Sequence, residues 1–148
     1  MSRVSIRVAP DVATVLRAGV VHVQGVRGGP ATHIDALVAE ACARAVPGED
    51  VDACTQPVRG LLRHGKYKPT GRGKPASEYL LAAARESRFP RVNPVVDGCN
   101  AVSLAWLLPI SVLDTDRAGA VEYMVRRGRA GESYVFNASG QVIDLEDL

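Results

Sequence analysis

The sequence predicts an α+β fold with mainly antiparallel strands, on three observations. Apolar and polar residues alternate strictly at the N-terminus and again in short segments after Ile110. Between these regions, apolar residues recur at helical spacing. Glycine and proline breaks separate the segments, so helices and strands alternate as blocks rather than as repeated strand–helix units. A chain of 148 residues, 47% hydrophobic and 23% charged, has the composition of one globular domain, residues 1–148, with a single core.

Val4, Ile6 and Val8 alternate with Arg3, Ser5 and Arg7, which predicts a half-buried strand ended by Pro10. A second strand is predicted over 19–26, with Val21 and Val23 on one face, before Gly28-Gly29-Pro30 breaks the chain. Ile34, Leu37, Val38, Ala41, Cys42 and Ala45 predict a helix with Thr32 as N-cap, stopped by Pro47-Gly48. A short helix is expected over 56–64, with Leu61 and Leu62 inward. Residues 66–74 read as a loop, and Ser77 as the cap of a helix through Leu80, Leu81, Ala84 and Arg85. Residues 92–96 are expected to be extended and 101–108 helical. Strands follow over about 110–113, 120–126, 133–137 and 141–145, with glycine turns between them.

A net charge of +2 is too small to argue for nucleic acid by itself. Cys42, Cys54 and Cys99 are widely spaced, with no metal-site pattern, so no metal and no cofactor is expected. Their odd count suggests reduced thiols and a cytoplasmic protein. The first residues hold no apolar signal region, and no run reaches the length of a membrane span.

Residues 90–114 hold the chain's most informative pattern. Asn93, Asp97 and Asn100 fall in an otherwise apolar run, Pro109 follows, and Asp114 closes the segment. Such groups are costly to bury unless each finds a partner. They build either a polar scaffold, capping helices and strand ends, or a pocket that reads a polar ligand. Cys99 reads as a nucleophile or as a small buried side chain. No histidine adjoins it in sequence to activate a thiol.

Arg91, Asn93, Val95, Val96, Asp97, Asn100, Pro109 and Asp114 stand in register with a gapped pattern, Arg-x-Asn-x-Val-Val-Asp-x-x-Asn, a helix, Pro, then Asp. With it the chain resembles the B3/B4 domain of the phenylalanyl-tRNA synthetase β subunit and the stand-alone proteins built from that domain. Lys68-Pro69-Thr70 and the run from Lys74 to Leu80 look like the stand-alone branch, and Gly131-Glu132 fits the family's turn. The resemblance covers about residues 55–148 well and 1–50 loosely. It implies a B3/B4-like fold and a domain that hydrolyses the ester of a wrongly charged tRNA. An aminoacyl ester is activated, so such a site must hold the carbonyl, fix a water and donate to the oxyanion. The resemblance implies Asn100 and Ser111 as the catalytic positions. Ser111 stands where the synthetases carry histidine, and Cys99 where they usually carry threonine. Asn93, Asp97, Cys99 and Pro109 are implied to bind substrate.

Residues 59–74 hold Arg59, Arg63, Lys66, Lys68, Arg72 and Lys74 with no acidic residue between them. Lys66, Lys68, Arg72 and Lys74 are expected to follow the phosphates of a tRNA acceptor end, with Tyr67 stacking on a base. A solvated charged loop is the plain alternative. Arg126, Arg127 and Arg129 read as a solvated turn. Family members continue well beyond the equivalent of Leu148, and the part that recognises a tyrosine hydroxyl has no counterpart here. A homodimer that completes the sheet would cover the edge this leaves. The alternative functions are a non-catalytic RNA or amino-acid binding module, and an enzyme of other chemistry on a small amino-acid-derived substrate.

Overall fold

The structure is a computed structural model that describes residues 4–26, 31–45, 51–63, 67–136 and 139–148, with the side chain of Arg72 outside the description. It is mixed α and β. The chain divides into two units. One is made of residues 1–24, 61–73 and 113–148, the other of 25–60 and 74–112.

The second unit is helical and holds the main core. Helix α2 (Thr32–Arg44), most of α3 (Val51–Leu62), α4 (Ala76–Arg85) and α5 (Pro94–Trp106) belong to it. Val38, Ala41, Ala45, Leu80, Leu81, Ala101, Leu104 and Leu107 form one buried cluster. The alanines at 41 and 101 leave room for α2 and α5 to approach closely. Each buried leucine contributes about 2 kcal/mol by leaving water. A second link in this unit is the ion pair of Arg59 on α3 with Glu78 on α4, with bonds of 2.7 and 2.5 Å.

The first unit holds the strands. β1 (Ser5–Val8) pairs in parallel with β2 (Glu122–Val125), Ser5 opposite Glu122 and Val8 opposite Val125. A short helix α1 (Pro10–Ala13) follows β1, with Pro10 at its first position. Asp114 caps α6 (Thr115–Ala118) by accepting from the backbone N–H of Asp116 and Arg117 at 3.1 and 3.0 Å. β3 (Ser133–Val135) and β4 (Val142–Asp144) form an antiparallel hairpin. One pair is therefore parallel and one antiparallel, where the sequence pattern suggested mainly antiparallel pairing.

Several elements differ from expectation for identifiable reasons. Residues 19–26 form no strand, and Val20, Val21, Val23 and Val26 are exposed. Alternation favours a strand only where a neighbour supplies the ladder. Helix α3 starts before Gln56 and runs through Pro57. Its inward residues are Thr55 and Val58, while Leu61 and Leu62 are only half-buried. Thr32 and Ser77 lie inside their helices, and the caps are Ala31 and Pro75 without side-chain bonds. Among the described residues, the buried Ser77 hydroxyl finds no hydrogen-bond partner. Helix α5 begins at Pro94, so 92–96 is not an extended segment. Asn93 and Pro94 together make a strong start signal, which overrides the β-branched Val92, Val95 and Val96. Residues 110–113 form no strand. The helix stop at Pro47-Gly48, the break at Gly28-Gly29-Pro30 and the ends at His64 and Asn137 lie outside the described residues. Among the described residues, no helix is long and apolar enough to cross a membrane.

Candidate functional site

Helix α5 and the residues before it organise most of the polar signature. The Asn93 side chain accepts from the backbone N–H groups of Val95 and Val96 at 3.1 and 3.0 Å, satisfying two of the helix's unpaired donors. One carboxylate oxygen of Asp97, in the first turn, accepts from Arg91 Nε at 2.7 Å. The other accepts from the Val92 backbone N–H, also at 2.7 Å. Asp97 is 4% exposed, and the Arg91 hydrogen bond, helped by the Val92 N–H, holds its carboxyl below the usual aspartate range. Arg91 reaches onward to Asp35 on α2. Its guanidinium is held more firmly protonated by Asp97 first and Asp35 second. This bridge fastens the start of α5 to α2.

The residues expected to bind substrate therefore divide. Asn93 is exposed, with its side-chain oxygen engaged as the cap, and Asp97 is buried with both carboxylate oxygens bonded. Cys99 is half-buried, and burial pushes its thiol up, away from the reactive thiolate. Pro109 and Ser111 are exposed on the segment after α5. That segment is tied to the helix by Ser103, whose hydroxyl donates to the Leu108 carbonyl at 2.5 Å. Leu107 ends the helix in the left-handed conformation, with φ of 51°.

Asn100 differs from the rest. It lies one turn beyond Asp97, half-buried, and its amide has no hydrogen-bond partner among the described residues. An amide so placed has two donors and an acceptor to offer a ligand. A shallow hollow in the same unit, lined by Ala41, Ala45, Leu81, Leu104 and Leu107 with Arg44 and Arg85, contains neither Asn100 nor Ser111.

The basic segment is more ordered than a plain loop. Tyr67 donates its hydroxyl to the Gly73 carbonyl at 2.8 Å, and the Thr70 N–H bonds the Lys68 carbonyl at 2.7 Å. Residues Gly71–Gly73 make one 3₁₀ turn, and Pro69 is buried beneath it. Lys68 and Lys74 are both exposed at this segment. Lys66 and the Arg72 side chain lie outside the description. Arg59 leaves the basic run, because Glu78 binds it from α4.

Sequence reasoning anticipated none of the ion pairs at these segments, and two stand out beside Arg59–Glu78. One is Arg91 with Asp35. The other is Arg126, expected in a solvated turn, which grips Glu132 with both nitrogens at 2.8 and 2.7 Å. The Arg126 bonds, with the Arg129 N–H, pull the Glu132 carboxyl down to about 2. The signal for the second was local, an arginine and a glutamate flanking the Gly131 turn. The first had none. Among the described residues no cluster of acidic, histidine or cysteine side chains suits a metal ion. Comparison with protein-family models, with curated proteins and with solved structures yields no match.

Proposed function

We propose that this chain is an aminoacyl-tRNA editing-type domain of the B3/B4 kind, which binds a wrongly charged tRNA and hydrolyses its ester. The observation that carries this reading is the contrast within the signature. Asn93, Asp97 and Asp114 are occupied as caps and as an ion-pair partner, while the half-buried Asn100 amide has no hydrogen-bond partner among the described residues. In this reading the Asn100 amide donates to the ester carbonyl as it becomes an oxyanion, and Ser111 orients the attacking water. Water adds to the carbonyl carbon, the bond to the ribose oxygen breaks, and the released hydroxyl takes the proton. Lys66, Lys68, Arg72 and Lys74 hold the acceptor-end phosphates. Asn93, Asp97, Cys99 and Pro109 shape the site without touching the reacting atoms.

A second reading, a non-catalytic module that binds RNA or an amino acid, is favoured by one observation. Among the described residues, neither Ser111 nor Asn100 has a hydrogen bond to a histidine or carboxylate that would serve as a base. A deacylation assay with a panel of wrongly charged tRNAs separates the two. The editing reading expects acceleration over spontaneous hydrolysis, and Asn100→Ala should lower it by about 10²-fold. Binding without acceleration would establish the module instead. Neutralising Lys66, Lys68, Arg72 and Lys74 should weaken binding and flatten its salt dependence, by about 0.7 in the logarithmic slope for each phosphate no longer neutralised.

A further inference from the structure

The side of α5 turned away from the core carries an apolar stripe. Val95 is 41% exposed, Val102 39% and Trp106 69%, with the half-buried Cys99 between them. Their spacing of four, three and four residues is the seam of a helix that packs against another helix. From Asn93 to Leu113 the one charged side chain is Asp97, which faces inward and is bound to Arg91.

We propose that this stripe is a homodimer interface, in which α5 packs antiparallel against α5 of a second copy about a twofold axis. Three features favour a second copy as the occupant. The seam period calls for a helix rather than an extended peptide or a nucleic acid. Antiparallel pairing centred between Asn100 and Ala101 sets Trp106 against Val95 and Cys99 against Val102. A large side chain then meets a smaller one at each end of the seam, as close packing requires. The stripe carries no charge, so like can face like without repulsion, and an acidic or polyanionic partner would find no cation there. The area also suits this occupant. Trp106 alone presents on the order of 150 Å². Leu108, Ile110 and Val112, on the segment that follows α5, are exposed as well, and their apolar area would add to that of the stripe toward the roughly 800 Å² that each partner of a stable complex buries. This proposal does not depend on the editing reading.

Sedimentation equilibrium of the whole chain tests it. The expected mass is twice 15.7 kDa, falling to the monomer in Trp106→Glu with an unchanged far-ultraviolet circular dichroism spectrum. Trp106 is the chain's single tryptophan, so its emission should shift to the blue as protein concentration rises through the association. A second arm does not depend on a disruptive change. Val102→Cys, in a Cys42→Ser and Cys54→Ser background, should link to Cys99 of the second copy when oxidised glutathione takes the two electrons of the paired thiols. Val142→Cys in the same background should not link. A monomer at every soluble concentration would overturn the proposal. So would a dimer that Trp106→Glu leaves intact and Val102→Cys does not link.

Discussion

Both carboxylate oxygens of Asp97 are occupied inside the protein, one by Arg91 and one by the Val92 N–H. Its folded-state pKa lies below the ordinary 3.8 because Arg91 and that N–H favour the ionised form. The stabilisation is therefore complete above the unfolded value and is lost as pH falls through the depressed folded value. At pH 7, Asp97→Asn should lower the thermal midpoint by roughly 5 °C, the effect of losing one charge-assisted hydrogen bond in a chain of this size. The gap between the two proteins should close as pH drops below 3.8, read by thermal melts across an acid series. A gap that stayed constant there would show that the Asp97 charge does not matter. Glu132, held near 2 by Arg126, loses its contribution over the same direction of pH, below its ordinary 4.5. A structural role for Asn93 and Asp114 was legible in sequence, because short polar side chains of this kind satisfy backbone groups, but the helices that they cap were not, since 92–96 read as extended and Asp114 as a turn residue. The Arg91–Asp35 link was not, since its partners stand 56 residues apart.

Among elements, the turn over 67–73 shows how the basic segment gains a fixed shape. A Cβ at Gly73 would stand 2.4 Å from the Lys68 carbonyl oxygen, which is backbone and cannot swing aside. Gly73→Ala should therefore cost about 1–3 kcal/mol, the usual penalty of forced overpacking. Urea unfolding measures it, and an unchanged midpoint would mean that the turn opens at no cost. The closed turn also engages the Tyr67 hydroxyl, although the sequence pattern pointed to base stacking for this residue. Helices α2 and α4 were legible because their apolar spacing matches the face that they bury. The start of α5 was not, because Val-Val-Asp reads as extended until the Asn93-Pro94 cap is weighed against it. The strand expected over 19–26 failed for a tertiary reason. Its valines alternate, but among the described residues no strand stands beside them to bond.

At the scale of the whole molecule, the two units are interleaved along the sequence. The buried cluster from Val38 to Leu107 belongs entirely to the second unit. A continuous fragment, 25–112, contains all of that unit together with the 61–73 insertion. This fragment should keep a helical circular dichroism spectrum and a cooperative melt. A featureless melt would show that the helical core needs the strands. No continuous fragment isolates the other unit, whose pieces lie on both sides of this core in sequence. Asn100 and Ser111 lie within the fragment, so the proposed chemistry and the proposed seam travel with it. The pairing of β1 with β2 also sets an order of events during synthesis. Residues Ser5–Val8 leave the ribosome well before their ladder partner, which is not complete until Val125. By then every residue of the helical unit has been translated. The first strand must wait through that interval as an unpaired edge, open to a passing chaperone or to another nascent copy.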